Sequence, residues 1–135
     1  MPEYVVKAAN LPGDAMVRAY LECAEWSGVD DDEREAFDAA DVVGWTEDAL
    51  KLAAEDCTRF HVLMLGANIP TLPIEYTSGQ LGHDLWLSRN GHGAGFFDRD
   101  ILDEGGLGEK LQGLARAMGE SYVLFAGVTG TLDLY

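Results

Sequence analysis

Between Met16 and Ala24 the apolar residues Met16, Val17, Tyr20, Leu21, Cys23 and Ala24 recur at three- and four-residue spacing, the period of a helix with one buried face. Asn10-Leu11-Pro12-Gly13-Asp14 places cap-type residues ahead of that run, so the pattern predicts a first helix ending near Trp26. A second begins at Thr46, a good N-cap, with Glu47 and Asp48 in the first turn, where the helix dipole favours negative charge. Leu50, Ala53, Ala54, Cys57, Phe60, His61 and Met64 then share one face, and Gly66 offers a left-handed stop; the expected span is Thr46 to Leu65. Leu107, Leu111, Leu114, Ala115 and Met118 mark a third helix that stops at Gly119.

Elsewhere the period shortens to two. Asp84 to Asn90 sets Leu85 and Leu87 against Trp86 and Ser88, which reads as a strand. Asn90-Gly91-His92-Gly93 supplies residues that tolerate positive φ, and Ala94 to Asp98 would return as the second strand of a hairpin. Tyr122 to Ala126 and Thr131 to Tyr135, joined by Gly127-Val128-Thr129-Gly130, read as a closing hairpin. Pro70 and Pro73 with Thr77, Ser78, Gly79 and Gln80 mark an irregular crossing. The expectation is an α+β fold: about three helices packed on a small antiparallel sheet built from two hairpins in the C-terminal half. Residues 1–135 are expected to form a single domain.

Charge changes this picture most. The net charge is −15, which repels nucleic acid and anionic lipid and makes a basic protein surface the natural complement. Between Glu22 and Asp56 thirteen acidic side chains stand against Arg34 and Lys51, so eleven of the fifteen net negatives fall there. Within it, residues 27–44 are expected to form an acidic exposed segment with at most a short turn of helix around Arg34 to Ala40. Apolar runs such as Val123-Leu124-Phe125-Ala126 are too short to span a bilayer, and no basic-then-apolar leader precedes the first helix. The expected location is the cytoplasm, away from any membrane. Cys23 and Cys57 fall on helical apolar faces and are expected as buried, reduced thiols.

Several patterns bear on chemistry without completing a motif. Cys57 and His61 lie four apart on one helix, and His83 or His92 could complete a zinc set, but a second close pair is lacking. His83-Asp84 resembles a phosphohydrolase metal dipeptide, which needs a helical context and further ligands. Asn90 with His92 suggests a metal nuclease, whose DNA the net charge opposes. Gly91-His92-Gly93-Ala94-Gly95 puts Phe96 where a dinucleotide fingerprint needs glycine, and no Walker lysine follows. Asp98, Asp100, Asp103 and Glu104 do not follow the calcium-loop spacing. Ser88 lacks a nucleophile elbow. Arg89 and Arg99 are expected to pair with Asp84 and Asp98 across the hairpin, and Trp86, Phe96 and Phe97 to serve either the core or a partner. No cofactor is expected.

The segment GHDLWLSRNGHGAGFFDRD, Gly82 to Asp100, closely resembles the motif GHDFWLTRNGHGAGFWDR of a family of small acidic proteins of bacteriophages, prophages and plasmids. The likeness extends to YLECAEWS at Tyr20 to Ser27, DCTRF at Asp56 to Phe60, and the Leu111 to Tyr122 region. It departs at Leu85, Ser88 and Phe97, each within its polarity class. The resemblance implies a mobile-element origin and an accessory role in a bacterial host, and carries over no catalytic residues. Joined to the charge, it gives the expectation of an acidic binding protein that inhibits a host nucleic-acid-handling defence complex, anti-CRISPR or anti-restriction, by occupying a basic surface of a protein or ribonucleoprotein. The contact residues would be Asp30, Asp31, Asp32, Glu33 and Glu35, with Trp86 and His92 as anchors. Two alternatives stand beside it: a small metal-dependent enzyme built on Cys57, His61, His83 and His92 with an acidic ligand, and an accessory protein whose partner is phage-encoded.

Overall fold

In a computed structural model, which describes residues 6–69, 71–91, 95–96 and 99–135, the Asp14 carboxylate accepts from the backbone N–H groups of Met16 and Val17, both at 3.0 Å. That cap starts α1, Ala15–Gly28. Its buried face holds Met16, Val17, Tyr20, Leu21, Cys23 and Ala24, the residues the three-four spacing selects. Thr46 caps α3, Glu47–Gly66, through Ala49 N, and this helix buries Ala49, Ala53, Cys57, Phe60 and Met64. Both cysteines are free and buried.

The acidic segment is more ordered than its composition suggests. Asp31–Ala39 forms helix α2, with Asp31, Asp32 and Glu33 in its first turn, where they face the positive end of the helix dipole. Its C-terminus is closed from outside the helix: the Lys7 ammonium donates to the carbonyls of Phe37, Asp38 and Ala40 at 2.8, 2.6 and 3.1 Å. Phe37 is the buried residue of α2 and packs edge-on against Phe125, with centroids 5.2 Å apart.

The expected hairpin at Asp84 to Asp98 is overturned. Ser78–Arg89 is a helix, α4, and Thr77 and Gln80 form a reciprocal capping box at its start. Every residue from Leu81 to Arg89 is buried, so the helix has no solvent stripe, and the apolar spacing that distinguishes period 3.6 from period 2 is lost. Of the returning strand, Ala94, Phe97 and Asp98 lie outside the described residues. Short 3-10 turns at Asp100–Leu102 and Glu104–Gly106 lead into α5, Leu107–Ala117.

The sheet is also different from the expected one. Gly44–Trp45 forms β1, Val123–Ala126 β2 and Thr131–Leu134 β3, in the order β1-β3-β2. The closing hairpin is present, β2 and β3 pairing antiparallel with Phe125 opposite Leu132, but β1 pairs parallel with β3 through Gly44 opposite Thr131. The architecture is therefore α+β with five helices and a three-stranded mixed sheet among the described residues, in place of three helices on two hairpins. The outer edge of β1 is closed by a side chain: Asn10 donates to Trp45 O at 2.8 Å and accepts from Trp45 N at 2.9 Å.

The most intimate packing is between α1 and α4. A Cβ at Gly82 would fall on the Met16 carbonyl oxygen and come within 2.9 Å of its carbon and 3.0 Å of Tyr20 N. Backbone occupies that space, and only glycine leaves it free. Around this crossing Tyr20 meets Trp86 edge-on at 5.3 Å, and Leu21, Leu85 and Phe60 are fully buried.

Candidate functional site

Helix α4 carries most of the segment that looks richest in chemistry, and its polar groups are turned inward. Asp84, 1% exposed, accepts from Arg99 Nε and Nη2, both at 2.9 Å, and from Tyr76 Oη at 2.6 Å. This two-pronged guanidinium pairing is the strong form of the ion pair. The burial and adjacent carboxylate push the Tyr76 phenol well above its ordinary range. The sequence expected Asp84 to pair with an arginine across a hairpin; the Arg99 pair exists, but it ties a helix to the segment after it.

Arg89 goes elsewhere. Its guanidinium donates to Asp56 Oδ2 on α3 at 3.0 Å, Tyr20 Oη on α1 at 2.8 Å, and the carbonyls of Gly119 and Met118 at 2.8 and 3.3 Å. Four segments are thereby cross-linked through one buried cation, which is compensated on every side. Burial raises the Tyr20 phenol far above its usual value. Ser88 Oγ accepts from Phe96 N at 3.2 Å, and Asn90 Oδ1 from Ser121 N at 2.9 Å. These are architectural bonds, and Ser88, the hydroxyl that the sequence pattern raised as a nucleophile, is fully buried.

Trp86 is 1% exposed, its Nε1 donating to Ser27 Oγ at 2.9 Å; it is a core residue, and the partner-anchor role expected for it has no surface to act from. Phe96 stacks on Phe60 at 5.5 Å in the same core. His92 lies outside the described residues. His83 is buried and stacks on Trp26 at 6.2 Å; burial first, with Arg99 adding and Asp84 opposing, lowers its pKa below the ordinary histidine value. Its Nδ1 has no hydrogen-bond partner among the described residues.

Among the described residues, Cys57, His61 and His83 of the metal set do not come together. Cys57 is buried, its thiol pushed up to about 12 by burial, whereas His61, one turn on, is exposed and His83 stands on α4 against Trp26. Among the described residues no group of three or more histidine, cysteine or acidic side chains could hold a metal ion. Cys57 and His61 instead line a groove of about 450 Å³ with Asp14, Met16, Thr58 and Ser78. The Asp14 carboxylate already serves as the cap of α1, and the groove's remaining polar side chains include Thr58, His61 and Ser78, all exposed.

The acidic segment does reach solvent. Asp30, Asp31, Asp32 and Glu35 are exposed and Glu33 is half-buried. Arg34 points back to the body, donating to Trp26 O at 2.8 Å, so it does not neutralise the first turn. Asp41, Glu47, Asp48 and Glu55 are exposed as well. Two members of the acidic third are structural. Asp56 holds Arg89, and Glu25, 1% exposed, accepts from the backbone N–H groups of Lys7 and Ala8 at 2.6 and 3.0 Å. Desolvation raises the Glu25 pKa against the lowering effect of those two bonds. No helix of the described residues is long and apolar enough to cross a membrane. Comparison with family models, with curated proteins and with solved structures gave no match.

Proposed function

We propose that the chain is an acidic binding protein whose working surface is α2 and its N-cap, Asp30, Asp31, Asp32, Glu33 and Glu35, and that it occupies a lysine- and arginine-rich surface that would otherwise track phosphates. The observation that carries this reading is the division of labour in α2. One aromatic residue, Phe37, and two cations, Lys7 and Arg34, hold the helix down from its inner side, while the carboxylates of its first turn are left to solvent. A rigid row of carboxylates costs less to order on binding than a flexible acidic loop, and it steers a basic partner from a distance. The resemblance to mobile-element proteins supplies the setting: a host complex that handles nucleic acid in defence, of the CRISPR or restriction type.

The test is capture by the tagged protein from bacterial lysate, with and without phage infection, beside a variant carrying Asp30→Asn, Asp31→Asn, Asp32→Asn, Glu33→Gln and Glu35→Gln. The expected result is recovery of a basic nucleic-acid-binding host component by the wild type, lost in the variant and weakened by salt. Retention of the same partner by the variant removes the electrostatic mechanism. A partner seen only after infection would favour an accessory protein of the phage.

A further inference from the structure

We propose that His83 is a pH-sensitive latch at the corner between α1 and α2: protonation of its ring loosens the last turn of α1 from α4 and, through Arg34, frees the first turn of α2. Rings of α4 hold that corner. His83 stacks on Trp26 with the ring planes 21° apart, and Trp86 Nε1 donates to Ser27 Oγ. Gly28 lies so close to Trp86 that an added Cβ would come within 2.9 Å of the indole. Arg34 of α2 then donates to the carbonyls of this same turn, to Trp26 O at 2.8 Å and Glu25 O at 3.5 Å. Of the two α4 rings that grip the end of α1, His83 is the one whose charge changes near neutrality.

The surroundings suit the ring only while it is neutral. His83 is 6% exposed and its Nδ1 has no hydrogen-bond partner among the described residues, so a proton placed there is a buried donor without an acceptor. Asp84, the next residue, already receives two bonds from Arg99 and one from Tyr76, and the Arg99 guanidinium adds a like charge. On α1, Glu22 pairs with Arg18 at 3.7 Å and Glu25 accepts from the backbone of Lys7 and Ala8. The Cys23 thiol is pushed up to about 12, chiefly by burial, and stays neutral. From β2 the corner receives Val123, which carries no charge. Burial, against the pull of Asp84, accordingly lowers the His83 pKa.

Linkage gives the sign. In an opened corner His83 titrates at its ordinary value of 6.5, whereas the closed corner resists the proton. The closed form is therefore fully favoured above 6.5 and loses its advantage as the pH falls toward the lowered value. At about pH 5.5 the opened form gains ~5–10-fold in population over its level at about pH 7.5. The loosening is confined to the start of α2, because the far end is held independently: Phe37 packs on Phe125, and Lys7 donates to the carbonyls of Phe37, Asp38 and Ala40. Asp31, Asp32 and Glu33 thus become mobile in acid while the body stays folded, a property of how α2 is seated that is independent of what α2 binds.

Amide exchange on the full chain tests this, read as protection factors so that the intrinsic pH dependence of exchange cancels. Between about pH 7.5 and about pH 5.5, residues 26–28 and 33–35 should lose protection ~5–10-fold while α3 changes less than ~2-fold. The loss should share its midpoint with the His83 imidazole resonance followed by NMR in the same sample. His83→Phe, which keeps a ring against Trp26, should abolish the loss; Arg34→Met should keep it at residues 26–28 and remove its pH dependence at 33–35. Protection that stays constant across the His83 titration, the same loss in His83→Phe, or an equal loss throughout α3 would each overturn the proposal. Should His83→Phe fail to fold, the wild type decides: a midpoint at residues 33–35 that differs from that of the His83 imidazole also overturns it.

Discussion

Replacing Gly82 by alanine sets two physical effects of opposite sign against each other. Gly82 lies inside α4, and on helix propensity alone the change should stabilise by ~1 kcal/mol. The added methyl, however, would coincide with the Met16 carbonyl oxygen and crowd Tyr20 N. These atoms belong to the backbone of α1 and cannot rotate away, so α4 must shift against its main packing partner, opening the Tyr20–Trp86 and Leu85 contacts. Forced repacking of this kind costs ~1–3 kcal/mol and more where backbone must move. The net expectation is a loss of about 2 kcal/mol, a fall in Tm of roughly 6–10 °C for a chain of this length. Urea unfolding followed by tryptophan fluorescence and far-ultraviolet circular dichroism measures it. Gly113→Ala is the matched control: Gly113 is an exposed α5 residue with nothing within 4 Å of the added carbon, so there the propensity gain of ~0.5–1 kcal/mol should appear. If Gly82→Ala is as stable as the wild type, or gains as Gly113→Ala does, the helices are not in the backbone contact described.

Three further outcomes follow. Asp84→Ala removes a 1% exposed carboxylate holding Arg99 and Tyr76 and should cost ~3–5 kcal/mol; a loss below about 1 kcal/mol in urea titration would contradict the pairing. Lys7→Met withdraws the ammonium from three α2 carbonyls, so amide exchange in α2 should accelerate at least ~10-fold while α3 amides stay protected; uniform acceleration would mean that α2 is not held locally. For His83, whose pKa is lowered, the unfolded chain takes up the proton first as pH falls, so this residue's contribution is full above the usual value and is lost on descending toward the lowered one. His83→Phe, which keeps a ring against Trp26, should flatten the fall in stability between about pH 7 and pH 5; an unchanged slope would assign it to other groups.

The chain's own pattern determined α1, α3, α5 and the closing hairpin, because each has one wet and one dry face and a cap or turn residue where it begins or ends. It also determined the concentration of charge between Glu22 and Asp56 and the reduced state of the cysteines. What it could not determine was anything buried on all sides. In α4 the polar residues Asp84, Ser88 and Arg89 are as buried as Leu85 and Trp86, so hydropathy reported neither period nor face; the capping signal Thr77-x-x-Gln80 was present and was the one local cue. The partners of those polar residues, Arg99, Phe96 and Asp56, lie at separations that no short-range rule specifies, and only the packing of α1, α3 and α4 decided them. The same holds for β1, two residues that become a strand because β3 offers a parallel edge. Tertiary structure thus placed Trp86, Glu25 and Asp56 in the core, and left Asp30, Asp31, Asp32 and Glu35, together with Asp38, Asp41, Glu47, Asp48 and Glu55, exposed to solvent.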